Sequence, residues 1–235
     1  MLEIEHLSIV YGTNRAVRDV SFYVDKGEIF ALLGPNGAGK TSILRAISGA
    51  VAPIDGDIRF DGTSLRGKHP PDVVRCGVAH VPEGRHIFPE MSVRDNLLIG
   101  ATVHIRDRVR TRELLERNFE LFPILSERSR QAGGTLSGGE QQALAIARGL
   151  MSDPKVLLVD EPTLGLAPIV IGNVASAFQK LVELGLTIVV AEQNADFGLR
   201  VANRGAIMAS GEITFTGETE ALKTAEEVQH AYLGA

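Results

Sequence analysis

Ile29-Phe30-Ala31-Leu32-Leu33 runs without a break into Gly34-Pro35-Asn36-Gly37-Ala38-Gly39-Lys40-Thr41-Ser42, and the reading of this passage decides the fold. Its first half is a short apolar run of the kind found in parallel strands buried on both faces. Its second half is rich in glycine, which lets the backbone wrap closely enough for successive N–H groups to point inward at phosphate oxygens. Ser42 to Ile47 continue as a helical pattern, so strand, loop and helix stand in the order a phosphate-binding loop requires. In that context Gly34, Pro35, Asn36, Gly37, Ala38 and Gly39 form a cradle. The Lys40 ammonium reaches the β- and γ-phosphates, the Thr41 hydroxyl holds Mg²⁺, and Ser42 completes the nucleotide-binding set at the helix start. A glycine-rich turn without a ligand is the bland alternative. With Gly near 7% of residues, this spacing arises by chance in roughly 1% of chains of this length, which disfavours it.

Working outward, Val156-Leu157-Leu158-Val159 and Ile188-Val189-Val190-Ala191 are two more apolar runs flanked by turn or polar residues. Helical patterns lie between them, so the core is α/β. Leu2 and Ile4 alternate with Glu3 and Glu5, and Val20, Phe22 and Val24 recur at period two, predicting an antiparallel sheet near the amino terminus. From about Glu83 to Leu150 the chain is rich in helix formers and reads as a helical insertion. Residues 1–84 and 151–235 then form the core with its antiparallel part, and residues 85–150 the helical part. Ala206-Ile207-Met208 and Ile213-Thr214-Phe215 flank Ser210-Gly211, a hairpin signal, before a last helix expected to reach about Leu233.

Composition bounds the function. The 235 residues are 44% hydrophobic and 23% charged, which excludes a disordered, collagen-like or disulfide-scaffold chain. A net charge of -5 leaves no global basic field for nucleic acid, and absent Trp argues against a stacking platform for single strands. Cys76 has no internal partner for a disulfide and reads as an inert small side chain in a reducing compartment. The uncharged run from Pro162 to Gln179 is broken by Pro168, Gly165, Gly172 and Asn173, so it does not read as a membrane span. Any membrane role is expected to come through partners. The arginines at 106, 108, 110 and 112 read as a solvated surface at a helix start, and the six histidines have no paired metal-site spacing.

A carboxylate pair narrows the chemistry. The run from Val156 to Val159 ends at Asp160-Glu161-Pro162, at the strand end where open α/β sheets bind ligands. Asp160 is expected to bind Mg²⁺, and Glu161 to polarise a water for attack on a γ-phosphate. Upstream lies Leu136-Ser137-Gly138-Gly139-Glu140-Gln141. Ser137 with Glu140 makes a helix capping box, but capping does not explain two glycines in the first turn, each costing about 1 kcal/mol relative to Ala. Glycines there let a phosphate approach a helix N-terminus.

These three motifs, in this order, resemble the ATP-binding cassette proteins, and the resemblance covers essentially the whole chain. It implies a P-loop NTPase core with an antiparallel β subdomain and an inserted helical subdomain, working on ATP and Mg²⁺. It also implies two cassettes packed head to tail, with Ser137, Gly138, Gly139 and Glu140 facing the nucleotide held by the partner. Tyr11 stands where the family stacks an aromatic on adenine. Two positions depart from the usual pattern: Glu83, in Val81-Pro82-Glu83-Gly84-Arg85, replaces a Gln, and Gln193 replaces a switch histidine. Glu83 still offers an oxygen to Mg²⁺. Gln193 can hydrogen-bond a γ-phosphate but cannot become cationic.

Those departures, with Gly165-Leu166-Ala167-Pro168 and Ala231-Tyr232-Leu233-Gly234, resemble the F-type ATP-binding subunits of branched-chain amino acid importers. That branch implies a second, nonidentical ATP-binding subunit, two transmembrane permease subunits and, indirectly, a solute-binding protein, on the cytoplasmic face of the inner membrane and without nucleic acid. Import of a related solute such as urea, amides or other amino acids is the alternative, followed by a non-transport cassette ATPase. A small-molecule kinase has no reason for Leu136 to Gln141, and a nucleotide sensor with little hydrolysis is the reading Gln193 would favour.

Overall fold

The protein is described by a computed structural model covering residues 1–224. It opens with an antiparallel pair, β1 (Leu2–Tyr11) and β2 (Asn14–Val24), followed by β3 (Ile29–Leu33) and α1 (Lys40–Ile47). Strands β4 (Asp55–Phe60) and β5 (Thr63–Ser64) come next, then α2 (Pro70–Cys76) and β6 (Val78–Val81). Helices α3 (Val93–Gly100), α4 (Arg108–Leu121), α5 (Pro123–Glu127) and α6 (Gly138–Leu150) fill the middle of the chain. The remainder is β7 (Val156–Asp160), α7 (Pro168–Glu183), β8 (Thr187–Glu192), α8 (Ala195–Val201), β9 (Arg204–Ala209), β10 (Glu212–Glu218) and α9 (Thr219–Thr224). The expected end of the last helix near Leu233 and the Ala231–Gly234 segment lie outside the described residues.

Two sheets result. One is antiparallel, ordered β2-β1-β4-β5, and the other runs β10-β9-β3-β8-β7-β6. In the second, β9, β3, β8, β7 and β6 are mutually parallel, and β10 closes the edge as the antiparallel arm of the hairpin with β9. The pleat sorts each central strand between two cores. Phe30, Leu32, Val156, Leu158, Val189 and Ala191 point to one side, against α1 and the antiparallel sheet. Ile29, Ala31, Leu33, Leu157, Val159, Ile188 and Val190 point to the other, against α6, α7, α8 and the middle helices. Burial on both faces is why these strands read as continuous apolar runs. Phe22 stacks on Phe30 across the first core at 5.1 Å between centroids.

Helix α1 is held by Ile43, Leu44 and Ile47, all fully buried. Each such side chain stabilises the fold by about 1.5–3 kcal/mol, which fixes where the preceding loop can sit. The strand ends align with that loop: Leu33 pairs with Glu192, and Asp160 with Ala191. The carboxyl ends of β3, β7 and β8 therefore gather Gly34, Asp160, Glu161 and Glu192 at one edge of the sheet. The arginine-rich start of α4 is an ion-paired surface: Asp107 caps the helix, Arg110 contacts Glu113 and Asp153, and Arg112 lies 3.0 Å from Glu116.

His80 on β6 carries a stability prediction. Its Nδ1 lies 3.2 Å from the Ser48 hydroxyl, and its Nε2 has no partner among the described residues. Burial, reinforced by the nearby Arg45 charge, pushes its pKa down to about 4 from 6.5. Between those values the unfolded chain takes up a proton that the folded chain refuses, so stability falls as pH drops through this window. Chemical denaturation at pH 7 and pH 5 should show the native chain losing about 2 kcal/mol more than His80→Gln does. Equal losses would remove His80 as the source.

Candidate nucleotide site

The phosphate loop closes around main-chain contacts that leave no room for side chains. A Cβ on Gly34 would lie 2.4 Å from the Met208 carbonyl oxygen, and one on Gly39 2.6 Å from that of Ala16. Gly39 also has φ +106 as the residue preceding α1, a conformation glycine adopts without steric cost. Lys40 is buried at 4% exposure, and its ammonium donates to the carbonyls of Gly34 at 2.8 Å and Pro35 at 3.2 Å. The same ammonium lies 3.1 Å from Glu161 Oε1. The Thr41 hydroxyl donates to Asp160 Oδ1 at 3.1 Å. Desolvation pushes the Asp160 carboxyl up to about 6, opposed by the Thr41 bond and reinforced by the charges of Glu161 and Glu83.

Tyr11, Asn36 to Ser42, Glu83 and Glu161 line one cleft of about 530 Å³, joined by Asn14, Arg15, Arg18 and the hairpin tip Ser210-Gly211. Asn14, Arg15 and Arg18 carry no sequence motif, and Ser210-Gly211 reads in sequence only as a hairpin turn. Arg15 and Arg18 lie on β2, 20 or so positions from the loop, and only the sheet brings them beside it. The tip packs against the loop through Gly211 N–H, which donates to the Ala38 carbonyl at 3.1 Å. Tyr11 is 40% exposed at the cleft wall.

The turn after β7 is tightly held. Glu161 has φ +46, in the left-handed region, where a non-glycine residue costs about 1–3 kcal/mol and persists only if its surroundings enforce it. Glu161 N–H donates to the Ala191 carbonyl, and its own carbonyl accepts from Leu164. Its Oε2 accepts from the Gln193 main-chain N–H at 3.1 Å. The Gln193 side chain is exposed and does not line the cleft. Beside it Glu192, with no exposure, accepts from Thr163 N–H at 3.0 Å, Thr163 hydroxyl at 2.7 Å and Asn194 N–H at 3.1 Å. Burial pushes the Glu192 carboxyl up to about 7, with the Glu161 charge adding to the shift.

Ser137 to Glu140 stand apart, lining no part of that cleft. Both halves of the capping box are formed, with the Ser137 N–H donating to Glu140 Oε2 at 2.7 Å, and Glu140 Oε1 lies 3.2 Å from Arg128. The Glu140 carboxylate is thus engaged within its own helix end. Packing also gives one of the two glycines a reason that the spacing did not reveal: a Cβ on Gly139 would lie 2.5 Å from Val170 on α7. Gly138 faces the Arg85 guanidinium, which donates to Gln141 Oε1 at 3.2 Å.

Both ligands fit these residues. Glycines 34 and 39 let the loop pack directly on the Met208 and Ala16 carbonyls, and Asn36 to Ser42 then line the cleft with main-chain groups that suit phosphate. The Thr41 hydroxyl and Asp160 carboxylate form an adjacent pair of hard oxygen donors suited to Mg²⁺. Among the described residues no group of three His, Cys, Asp or Glu side chains is set to hold a metal, so Mg²⁺ here would share its shell with nucleotide oxygens.

A sheet with a phosphate loop after one parallel strand and an Asp-Glu pair two strands away, across β8, defines a nucleotide-binding cassette. Residues 17–164 match the ABC transporter family, and the chain belongs to it. It is 42% identical over 234 residues, covering 100% of both chains, to the high-affinity branched-chain amino acid transport ATP-binding protein BraG of Pseudomonas aeruginosa. It is 34% identical to the lipopolysaccharide export system ATP-binding protein LptB of Escherichia coli K12, over 99% of this chain and 97% of that one. Among solved structures, the ADP conformation of an ATP-binding cassette of an ABC transporter superposes with a TM-score of 0.87 at 26% identity, covering 100% of this chain and 99% of the other. No helix among the described residues is long and apolar enough to cross a membrane.

Proposed function

We propose that this chain is the ATP-binding, ATP-hydrolysing subunit that energises import of branched-chain amino acids through an ABC transporter. The convergence of Lys40, Thr41, Asp160 and Glu161 at the ends of β3 and β7 carries the chemistry. Full-length identity of 42% to BraG supports the cargo. The loop amides and Lys40 bind the phosphates, while Tyr11 offers its ring to the base. Thr41 and Asp160, with Glu83 from the cleft lining, would hold Mg²⁺, which would supply charge neutralisation for the phosphates. Glu161 accepts a proton from the attacking water, oriented by Lys40 on one carboxylate oxygen and the Gln193 main chain on the other.

Gln193 then contributes mainly through a main-chain group that any residue retains. Gln193→Ala removes a neutral side chain that is exposed and lies outside the cleft, so its loss is expected to cost no more than an ordinary neutral hydrogen bond, about 0.5–1.5 kcal/mol. Steady-state ATPase activity in the assembled complex should fall by about twofold to tenfold. Complete loss would make the amide essential and overturn this division of roles.

The functional unit is a heterodimer with a second, nonidentical cassette subunit, on two transmembrane permease subunits at the cytoplasmic face of the membrane and supplied by a solute-binding protein. Ser137, Gly138 and Gly139, remote from this chain's own cleft, complete the partner's site. Glu83 and Gln193 in both sites of a symmetric pair would leave neither with the family's usual Gln and His. Native mass spectrometry of the membrane-extracted complex should find one copy of this chain beside a different cassette protein. Two copies and no second cassette would contradict the heterodimer.

A further inference from the structure

Glu192 is a buried carboxylate that the proposed chemistry does not use. It ends β8, in register with Leu33 of β3, and has no solvent exposure. An acid in that place is costly unless every lone pair facing the protein is satisfied. Here the satisfaction is directional. Oε1 takes two bonds from one residue, the N–H and hydroxyl of Thr163, and Oε2 takes the N–H of Asn194. The Glu192 carbonyl accepts from Gly34 N–H at the first residue of the phosphate loop.

Those partners bracket the left-handed residue. Thr163 is two positions after Glu161, in the turn closed by Leu164 N–H on the Glu161 carbonyl. Asn194 immediately follows Gln193, whose N–H holds Glu161 Oε2. One carboxylate thus fastens the segment carrying the Glu161 backbone to the segment orienting its side chain. The unfavourable φ of Glu161 needs such enforcement, and among the described residues only the Glu161 side chain itself, through Gln193 N–H, also joins the two segments.

We propose that Glu192 is the positioning residue for Glu161, fixing the turn after β7 and the loop after β8 in one arrangement so that the Glu161 carboxylate faces the phosphate end of the cleft. The inference rests on the reading of Glu161 as hydrolytic base. Glu192 touches no substrate and acts through Glu161 alone, so its removal lowers turnover while leaving the Lys40 and Thr41 contacts that bind nucleotide.

The test is ATPase kinetics of the assembled transporter with native chain, Glu192→Ala, Glu192→Gln, Thr163→Val and Glu161→Gln, alongside ATP-induced thermal shifts. Glu192→Ala should lower kcat by about tenfold to a hundredfold with KM for ATP within about twofold of native. Glu192→Gln keeps an oxygen for Thr163 but turns an N–H toward Asn194, so it should recover part of the lost rate. Thr163→Val removes a single bond at the far end of the contact and should lower kcat about threefold to tenfold, again without a change in KM. It also serves as the milder variant should Glu192→Ala not fold. In a Glu161→Gln background the Glu192→Ala change should have no further effect on the residual rate.

Native kcat in both Glu192→Ala and Thr163→Val, beside an inactive Glu161→Gln, overturns the positioning role and leaves the base assignment standing. A parallel loss of kcat and of the ATP-induced thermal shift in Thr163→Val overturns it too, since that marks a general structural contact. Native turnover in Glu161→Gln sinks the base assignment itself and the positioning role with it.

Discussion

Glu161→Gln is expected to retain ATP binding and to lose turnover by about a hundredfold to ten-thousandfold, the usual contribution of a positioned acid or base. The substitution conserves shape. A carboxamide oxygen still accepts from the Lys40 ammonium, 3.1 Å away in the native chain, so the phosphate loop keeps its geometry. The ability to take a proton from water is removed, and an N–H replaces the Oε2 acceptor that faces the Gln193 main-chain N–H. With a competent partner cassette present, nucleotide is then held without hydrolysis and a closed dimer accumulates. Single-turnover hydrolysis and size analysis of the ATP-bound complex check both halves. Hydrolysis at the native rate in the full complex would remove Glu161 from this role.

Lys40→Ala should abolish binding itself. The native ammonium serves two structures at once, donating to the Gly34 and Pro35 carbonyls and pairing with Glu161 inside a site where it is 4% exposed. Alanine leaves those carbonyls without their donor, leaves the Glu161 carboxylate without its cation, and removes the charge that meets the β- and γ-phosphates. ATP·Mg²⁺ at about a hundred times the native dissociation constant stabilises a binding-competent chain by about 2.7 kcal/mol. Thermal unfolding should therefore shift upward with nucleotide for the native chain and not for Lys40→Ala. A folded Lys40→Ala chain that still gains the native shift would contradict the assignment.

The core strands were legible because burial on both faces erases alternation: β3, β7 and β8 are written as unbroken apolar runs, and β1 and β2 as half-exposed ones. Strands β4, β5 and β6 were not legible. They are two to six residues long, and β4 carries Asp55, Gly56 and Asp57, which read as a turn until β1 supplies partners for them. The uncharged Pro162–Gln179 run divides into the turn after β7 and most of α7, whose Val170 crowds Gly139. No local signal announces that contact, because its two residues lie 31 positions apart and on different helices.

Of the site, whatever depends on consecutive residues could be read: the glycine loop, Lys40, Thr41 and the Asp160-Glu161 pair. Residues recruited across the sheet could not, among them Arg15, Arg18 and the Ser210-Gly211 tip. Glu192 belongs with these. In sequence it is one acid at the end of an apolar strand, and its three donors sit on Thr163 and Asn194, in two different turns. The Glu140 side chain illustrates the opposite case, in which the capping arrangement visible in the sequence is the one the carboxylate makes.

Uptake of labelled leucine, isoleucine and valine by cells lacking this chain tests the account most directly. Uptake should be lost on deletion, return with the native chain, and fail to return with Glu161→Gln although that protein still assembles and binds ATP. Uptake of all three that survives the deletion, or that Glu161→Gln restores in full, would contradict it.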